Sequence, residues 1–303
     1  MHFYVKAATK YAQSQTTTNI KEGDDCMSAV ELSTVQNVVP GNIHQALTLL
    51  EKGIDNISNN QEWQRFLTFQ SKFYNYSFQN TLLIYCQKPN STYVAGFNSW
   101  EKLGRYVKKG EKSIKIFAPL RYKVEKDSLD NDTLQQETYI LSGFRLVNVF
   151  DLSQTTGDDS VLPVLITGLS EQFPRDLELY HQLQTKLDIP VIERADITAN
   201  GQYHLLTKEI AIKSSLHPVQ KIKTLIHEYA HHIHRSHFFN DEKKSERELI
   251  AESVAFVACQ HLNIDSSDYS FPYLRTWLDE PKQLKQLGDK ISKIAAMVIE
   301  KLK

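Results

Sequence analysis

The chain has 303 residues, 41% of them hydrophobic and 23% charged; the length points to two domains and the composition excludes a disordered, collagen-like or coiled-coil protein. Its 35 basic and 36 acidic side chains leave a net charge of −1, a total that by itself argues against a nucleic-acid or anionic-membrane partner. Three widely spaced cysteines, Cys26, Cys86 and Cys259, form neither a disulfide framework nor a cysteine zinc site, and they fit a cytoplasmic location. No segment approaches the roughly 18 apolar residues of a membrane span, so no membrane partner is expected.

Residues 1–40, rich in Gln, Thr, Ser and Asn, read as a disordered extension. The spacing of Ile43, Ala46, Leu47, Leu50 and Ile54 predicts an amphipathic helix. A longer helix is expected from Gln61 to Gln87, ahead of Pro89, and a short one opens near Trp100. The stretch VKKGEKSIKIFAP reads as a β-hairpin turning at Lys109-Gly110. Strands are expected at Leu120 to Val124 and Tyr139 to Phe150. The polar, turn-rich run from Ser153 to Asp159 marks the boundary between a first domain, 41–152, and a second, 160–303. In the second, helices are expected near Glu171–Leu187, Val219–His234, Ser245–Leu262 and Pro281–Leu302, with a strand pair in QYHLLTKEIAIK.

The neutral total conceals a polarised chain. Between Gln61 and Lys123 eleven basic residues stand against three acidic ones, a net +8 that leaves −9 for the remainder, and the same 63 residues hold 14 of the 31 aromatic side chains. Lysines that neutralise phosphate, combined with rings that stack on bases, are what a protein needs to hold a single strand. Six of these cations, Lys102, Arg105, Lys108, Lys109, Lys112 and Lys115, cluster around the expected hairpin. Phe66, Phe69, Phe73 and Tyr76 follow helical spacing and are read as core instead.

In the second half the run TLIHEYAHHIH contains His227-Glu228-Tyr229-Ala230-His231 within an otherwise apolar helix. Histidines four apart share a helix face and can reach one Zn²⁺. Glu228, on the adjoining flank, is placed to take a proton from water that zinc has made acidic, the chemistry of peptide hydrolysis. A catalytic zinc takes three protein ligands, and the helix SERELIAESVAFVACQHL offers Glu248 and Glu252 four residues apart. Glu248 is the preferred ligand and Glu252 an outer acceptor steadying a histidine N–H; the reverse assignment stays open. Alanines 251, 255 and 258 suit a close approach of the two helices. His234 lies one turn beyond the metal face. Tyr203, His204 and the strand around Ile210 form a candidate edge for an extended peptide.

The strings YNYSFQNTLLIYCQKP, VAGFNSWEKLGRYVKKGEKSIKIFAP and FRLVNVFDLSQT, with LIHEYAHHIH and ERELIAESVAF further on, resemble the ArdC-type antirestriction proteins. These join an N-terminal single-stranded-DNA-binding domain to a C-terminal zincin domain of the ImmA/IrrE-like group, and the resemblance covers residues 43 to 265. It implies an α+β chain of two domains: helices plus a β-hairpin for DNA, then a mainly helical zincin-like unit with a small sheet. It also implies that Asn80, Trp100, Lys109 and Gly110 belong to the DNA surface or its scaffold. His227, His231 and a downstream glutamate would hold zinc, with Glu228 as base in a gluzincin-like metallopeptidase. The expected partners are single-stranded DNA and a protein substrate associated with it. The alternative is a strand-coating protein that shields incoming mobile-element DNA and carries a structural or vestigial metal site.

Overall fold

The computed structural model describes residues 39–124, 138–158, 176–238, 242–264 and 281–302; of the extension expected over residues 1–40, all but the last two residues lie outside them. The first helix, α1 (Ile43–Asn56), starts where the Asn42 side chain accepts the Gln45 N–H at 2.9 Å, and it buries Ala46, Leu49, Leu50 and Ile54. The single helix expected from Gln61 to Gln87 is two: α2 (Asn60–Lys72) and α3 (Phe78–Gln87). The Phe73 N–H closes α2 on the Gln70 carbonyl, and the Ser77 hydroxyl caps α3 by accepting the Asn80 N–H. Apolar periodicity runs through the break because both helices face one core, in which Phe66, Phe69, Phe73 and Phe78 are buried.

Next come β1 (Val94–Gly96), α4 (Phe97–Lys102), β2 (Arg105–Val107), β3 (Ile114–Val124), β4 (Thr138–Asp151) and β5 (Thr155–Gly157). The hairpin expected around Lys109-Gly110 is absent. The turn exists, with Gly110 at φ +90°, but the strands on its two sides join different sheets. β2 pairs antiparallel with β5, whereas β3 pairs along its length with β4 in a sheet of order β1-β4-β3. Buried Arg105 explains the choice: its Nε donates to Thr155 Oγ1 at 3.0 Å and its Nη1 to the Gly157 carbonyl at 3.3 Å. The stretch read as an interdomain boundary is thus folded, since residues 152–157 make a 3₁₀ turn and a strand held by β2. Pro119 sits within β3, which tolerates it as an edge strand.

The second half contributes α5 (Asp176–Lys186), β6 (Val191–Arg194), β7 (Gly201–His204), β8 (Glu209–Lys213), α6 (Pro218–His237), α7 (Lys244–His261) and α8 (Pro281–Leu302). The strand pair expected in QYHLLTKEIAIK is β7 and β8, and β6 adds in parallel to give the order β6-β8-β7. Ile210 therefore lies on the central strand, fully buried, and of the residues expected at an edge Tyr203 and His204 stand on one, β7.

Helix α7 is apolar nearly all round, with ten of the eleven positions from Leu249 to Cys259 buried, all but Glu252, the pattern of a helix running through a core. The last helix, α8, lies against both halves. Its Gly288 faces the Phe78 ring so closely that a Cβ there would sit 2.5 Å from it. Its Ser292 hydroxyl accepts the Gln70 amide at 2.7 Å, and its Glu300 accepts Tyr74 Oη at 3.1 Å. The buried apolar residues of both halves form one continuous cluster. Among the described residues no helix is long and apolar enough to cross a membrane.

Candidate metal centre and basic surface

Helices α6 and α7 pack side by side, and their facing residues build the centre. Ala251, Ala255 and Ala258 are at most 1% exposed, so the backbones approach closely enough for side chains of both helices to meet. The His227 and His231 Nε2 atoms are 3.1 Å apart, and Glu248 Oε2 lies 3.5 Å from the first and 3.6 Å from the second. Donors held about 2.0–2.1 Å from a tetrahedral ion stand about 3.3 Å from one another. The three edges bracket that value, so His227, His231 and Glu248 fit one small divalent cation. Two imidazoles and a carboxylate form a donor set that suits zinc.

Glu252 occupies a different place. Its Oε2 is 3.0 Å from His227 Nδ1 and its Oε1 is 2.5 Å from Lys223 Nζ. A carboxylate at Nδ1 fixes the tautomer that leaves Nε2 free to bind metal. The geometry thus separates the two glutamates left open by spacing alone: Glu248 faces the gap between the histidines, and Glu252 orients one of them.

The charges respond to this crowding. Burial disfavours the His227 imidazolium, yet hydrogen bonds to Glu248 and Glu252 outweigh it and push its pKa up to about 9. The same bonds from His227 and His231 hold Glu248 well below the usual carboxylate range. Glu228 moves the other way: burial raises its pKa, and the nearby His227 and His231 only partly offset this. A carboxylate so raised is a better proton acceptor near neutral pH. Glu228 is also steered, because the backbone N–H of Tyr203 on β7 donates to its Oε2 at 2.9 Å.

That contact needs β7 close to α6, and Gly201 permits it. A Cβ at Gly201 would lie 2.4 Å from Thr224 Cγ2 and 2.9 Å from Glu228 Cγ. Gly201, Lys223 and the Tyr203 N–H are the site components that sequence reasoning missed. Lys223 had a signal, four residues before His227 on the same helix face; the other two had none outside the fold. His234 turns from the metal face. It is 2% exposed, 3.6 Å from Glu242, and burial together with Lys290 pushes its pKa down to about 4.

The residues expected to touch DNA divide into two groups. Asn80 is scaffold: its amide donates to the Phe117 carbonyl and accepts the Phe117 N–H, both at 2.9 Å. Two turns along α3, Gln87 makes the same pair of bonds with Lys115, so two side-chain amides cover the free edge of β3. Trp100 is fully buried, donating to the Phe150 carbonyl at 2.9 Å, and Arg105 is spent on β5. None of these three presents a surface for DNA. Lys108, Lys109 and Lys112 are exposed and Lys115 half-buried; Lys108 Nζ donates to the Ser153 carbonyl at 3.0 Å and Lys115 Nζ to Asn148.

Residues 43–150 match the family model described as the N-terminal domain of anti-restriction factor ArdC. The match spans 108 of the chain's 303 residues. An uncharacterized Bacillus anthracis protein, pXO2-81, is 24% identical over 264 residues, which is 75% of this chain and 44% of that protein's length. The chain thus spans less than half of that relative. Crystal structures of the antirestriction ArdC protein from plasmid R388 also align. The metal-free form is 21% identical over 75% of this chain and 84% of that chain, with a TM-score of 0.49. The Mn(II)-bound form is 20% identical over 75% and 83%, with a TM-score of 0.48.

Proposed function

We propose that the chain is an antirestriction-type protein that binds single-stranded DNA and carries a zinc-dependent peptidase centre. One observation supports the enzymatic part above others: three donors on two helices surround a gap of tetrahedral size, beside a buried Glu228 whose carboxyl is held by a strand N–H. Zinc held by His227, His231 and Glu248 would supply Lewis acidity towards water and a peptide carbonyl. Glu228 takes the proton of the attacking water and returns it to the leaving nitrogen. Glu252, braced by Lys223, keeps the His227 ring in register throughout. For the DNA-binding part, support comes from the family of residues 43–150 and the net +8 between Gln61 and Lys123. Holding the strand keeps the centre near proteins bound to the same strand, at raised local concentration.

The test uses the full chain, with casein as substrate and a labelled oligothymidylate as ligand. Glu228→Gln should lower proteolysis about 10²- to 10⁴-fold and leave metal content and strand affinity at the wild-type level. A variant that cleaves casein as fast as the wild type overturns the mechanism. Protection of DNA from restriction that is identical in wild type and variant, with no proteolysis in either, establishes the alternative of a non-catalytic strand coat.

A further inference from the structure

We propose that one face of the β1-β4-β3 sheet is the strand-binding platform, with Phe97 and Phe150 as its stacking rings and Lys109, Lys112 and Lys115 as its phosphate contacts. This rests on the proposed single-stranded-DNA binding and locates it on the molecule.

Strand parity supplies the face. Side chains two apart on a strand point the same way, so Leu146, Asn148 and Phe150 of β4 share one side, and the register sets Phe117, Lys115 and Ala95 beside them. The opposite parity carries Val94, Ile114, Ile116 and Val149, all buried in the core. Ser113 Oγ, 3.2 Å from Asn148 Oδ1, and Lys115 Nζ both reach Asn148, which confirms the shared side. On that side Phe97 stands edge-on to Phe150, ring centroids 6.4 Å apart at 72°, and is 53% exposed. A large aromatic left this open has a face free for a base.

Register also brings the charge to the rings. Gly96, Val149 and Ile114 form one row across the three strands. Phe97 follows Gly96 at one end of that row, and the turn bearing Lys109 and Lys112 leads into Ile114 at the other, two strand spacings or about 10 Å away. Lys115, next to Ile114 on β3, reaches across to Asn148 of the middle strand with its Nζ. The acidic residue in the turn, Glu111, is engaged by the Gln154 amide at 3.0 Å. Rings and cations on one sheet face fit an unpaired strand, because only unpaired bases offer their π-faces to a side chain.

The measurement is fluorescence anisotropy of a labelled oligothymidylate with the full chain at several salt concentrations. Phe97→Ala should weaken binding about five- to a hundredfold, and Phe97→Trp should restore it. Lys109→Glu/Lys112→Glu should weaken binding and flatten its salt dependence. The exposure of all three side chains keeps these variants folded, as circular dichroism would verify. Wild-type binding that neither Phe97 variant alters overturns the platform while leaving strand binding itself intact. A wild type that binds duplex as tightly as single strand also overturns it, and a wild type that binds no strand removes the reading on which it rests.

Discussion

The two halves use polar side chains in opposite ways. In the first, Asn80 and Gln87 are consumed by backbone groups of β3, covering its free edge, and Arg105 by the Thr155 hydroxyl and the Gly157 carbonyl of β5. In the second, His227, His231 and Glu248 converge with their donor atoms turned towards a common gap, and the partners they do have, such as Glu252, orient them without occupying it, while Glu228 is held from β7 by the Tyr203 N–H. A polar residue in a sheet-rich unit is thus first a candidate for completing hydrogen bonds. A run of them at helical spacing in an apolar helix has no backbone left to serve and is free for chemistry.

The largest effect that sharpens this contrast is on stability. Asn80→Ala removes both bonds to Phe117 and uncovers the β3 edge, and should cost about 2–3 kcal/mol. Urea denaturation would read it as a lower midpoint, with strand affinity preserved wherever the protein remains folded. In the second half the corresponding change should leave stability nearly alone and strike function. Glu252→Gln keeps the size of the side chain but weakens its hold on His227 Nδ1 and Lys223, so metal affinity should fall about ten- to a hundredfold. Competition with a chromophoric chelator measures it. An unchanged affinity would show that Glu252 serves packing alone.

These differences also explain what was legible in advance. The candidate donor cluster could be read from the sequence because the period of a helix is local: His227 and His231 share a face whatever surrounds them, and so do Glu248 and Glu252. Deciding between the two glutamates needed the tilt of α7 against α6, which spacing does not encode. The expected hairpin at Lys109-Gly110 failed because strand pairing is a choice among partners. Arg105 found Thr155 fifty residues away, while the neighbouring β3 took β4. The break between α2 and α3 did carry a signal, a serine three residues before Asn80, but continuous apolar periodicity masked it.

A smaller effect tests how tightly the second half is built. Gly201→Ala places a methyl group against Thr224 and Glu228, so β7 or the carboxylate must shift by a fraction of an ångström. Turnover should fall about tenfold, since misplacing a reacting group by 1 Å can cost about 10²-fold. Metal content should hold, because His227, His231 and Glu248 are carried by α6 and α7 and not by that strand. Loss of metal in parallel with turnover would mean that β7 supports the whole centre and not Glu228 alone.

The smallest effect separates two cations of the same basic cluster. Arg105→Ala strips buried bonds from β5 and should lower the melting temperature. Lys109→Ala removes an exposed charge at a turn that Gly110 already shapes, and should leave the melting temperature where it is. In strand binding the order reverses: Lys109→Ala should reduce the slope of log affinity against log salt by about 0.7, the value for one phosphate contact to a single strand. Arg105→Ala, measured where it is folded, should leave that slope unchanged, because a guanidinium committed to Thr155 and Gly157 releases no counterion from DNA. Equal slopes in the two variants would erase the distinction between scaffold and surface within this cluster.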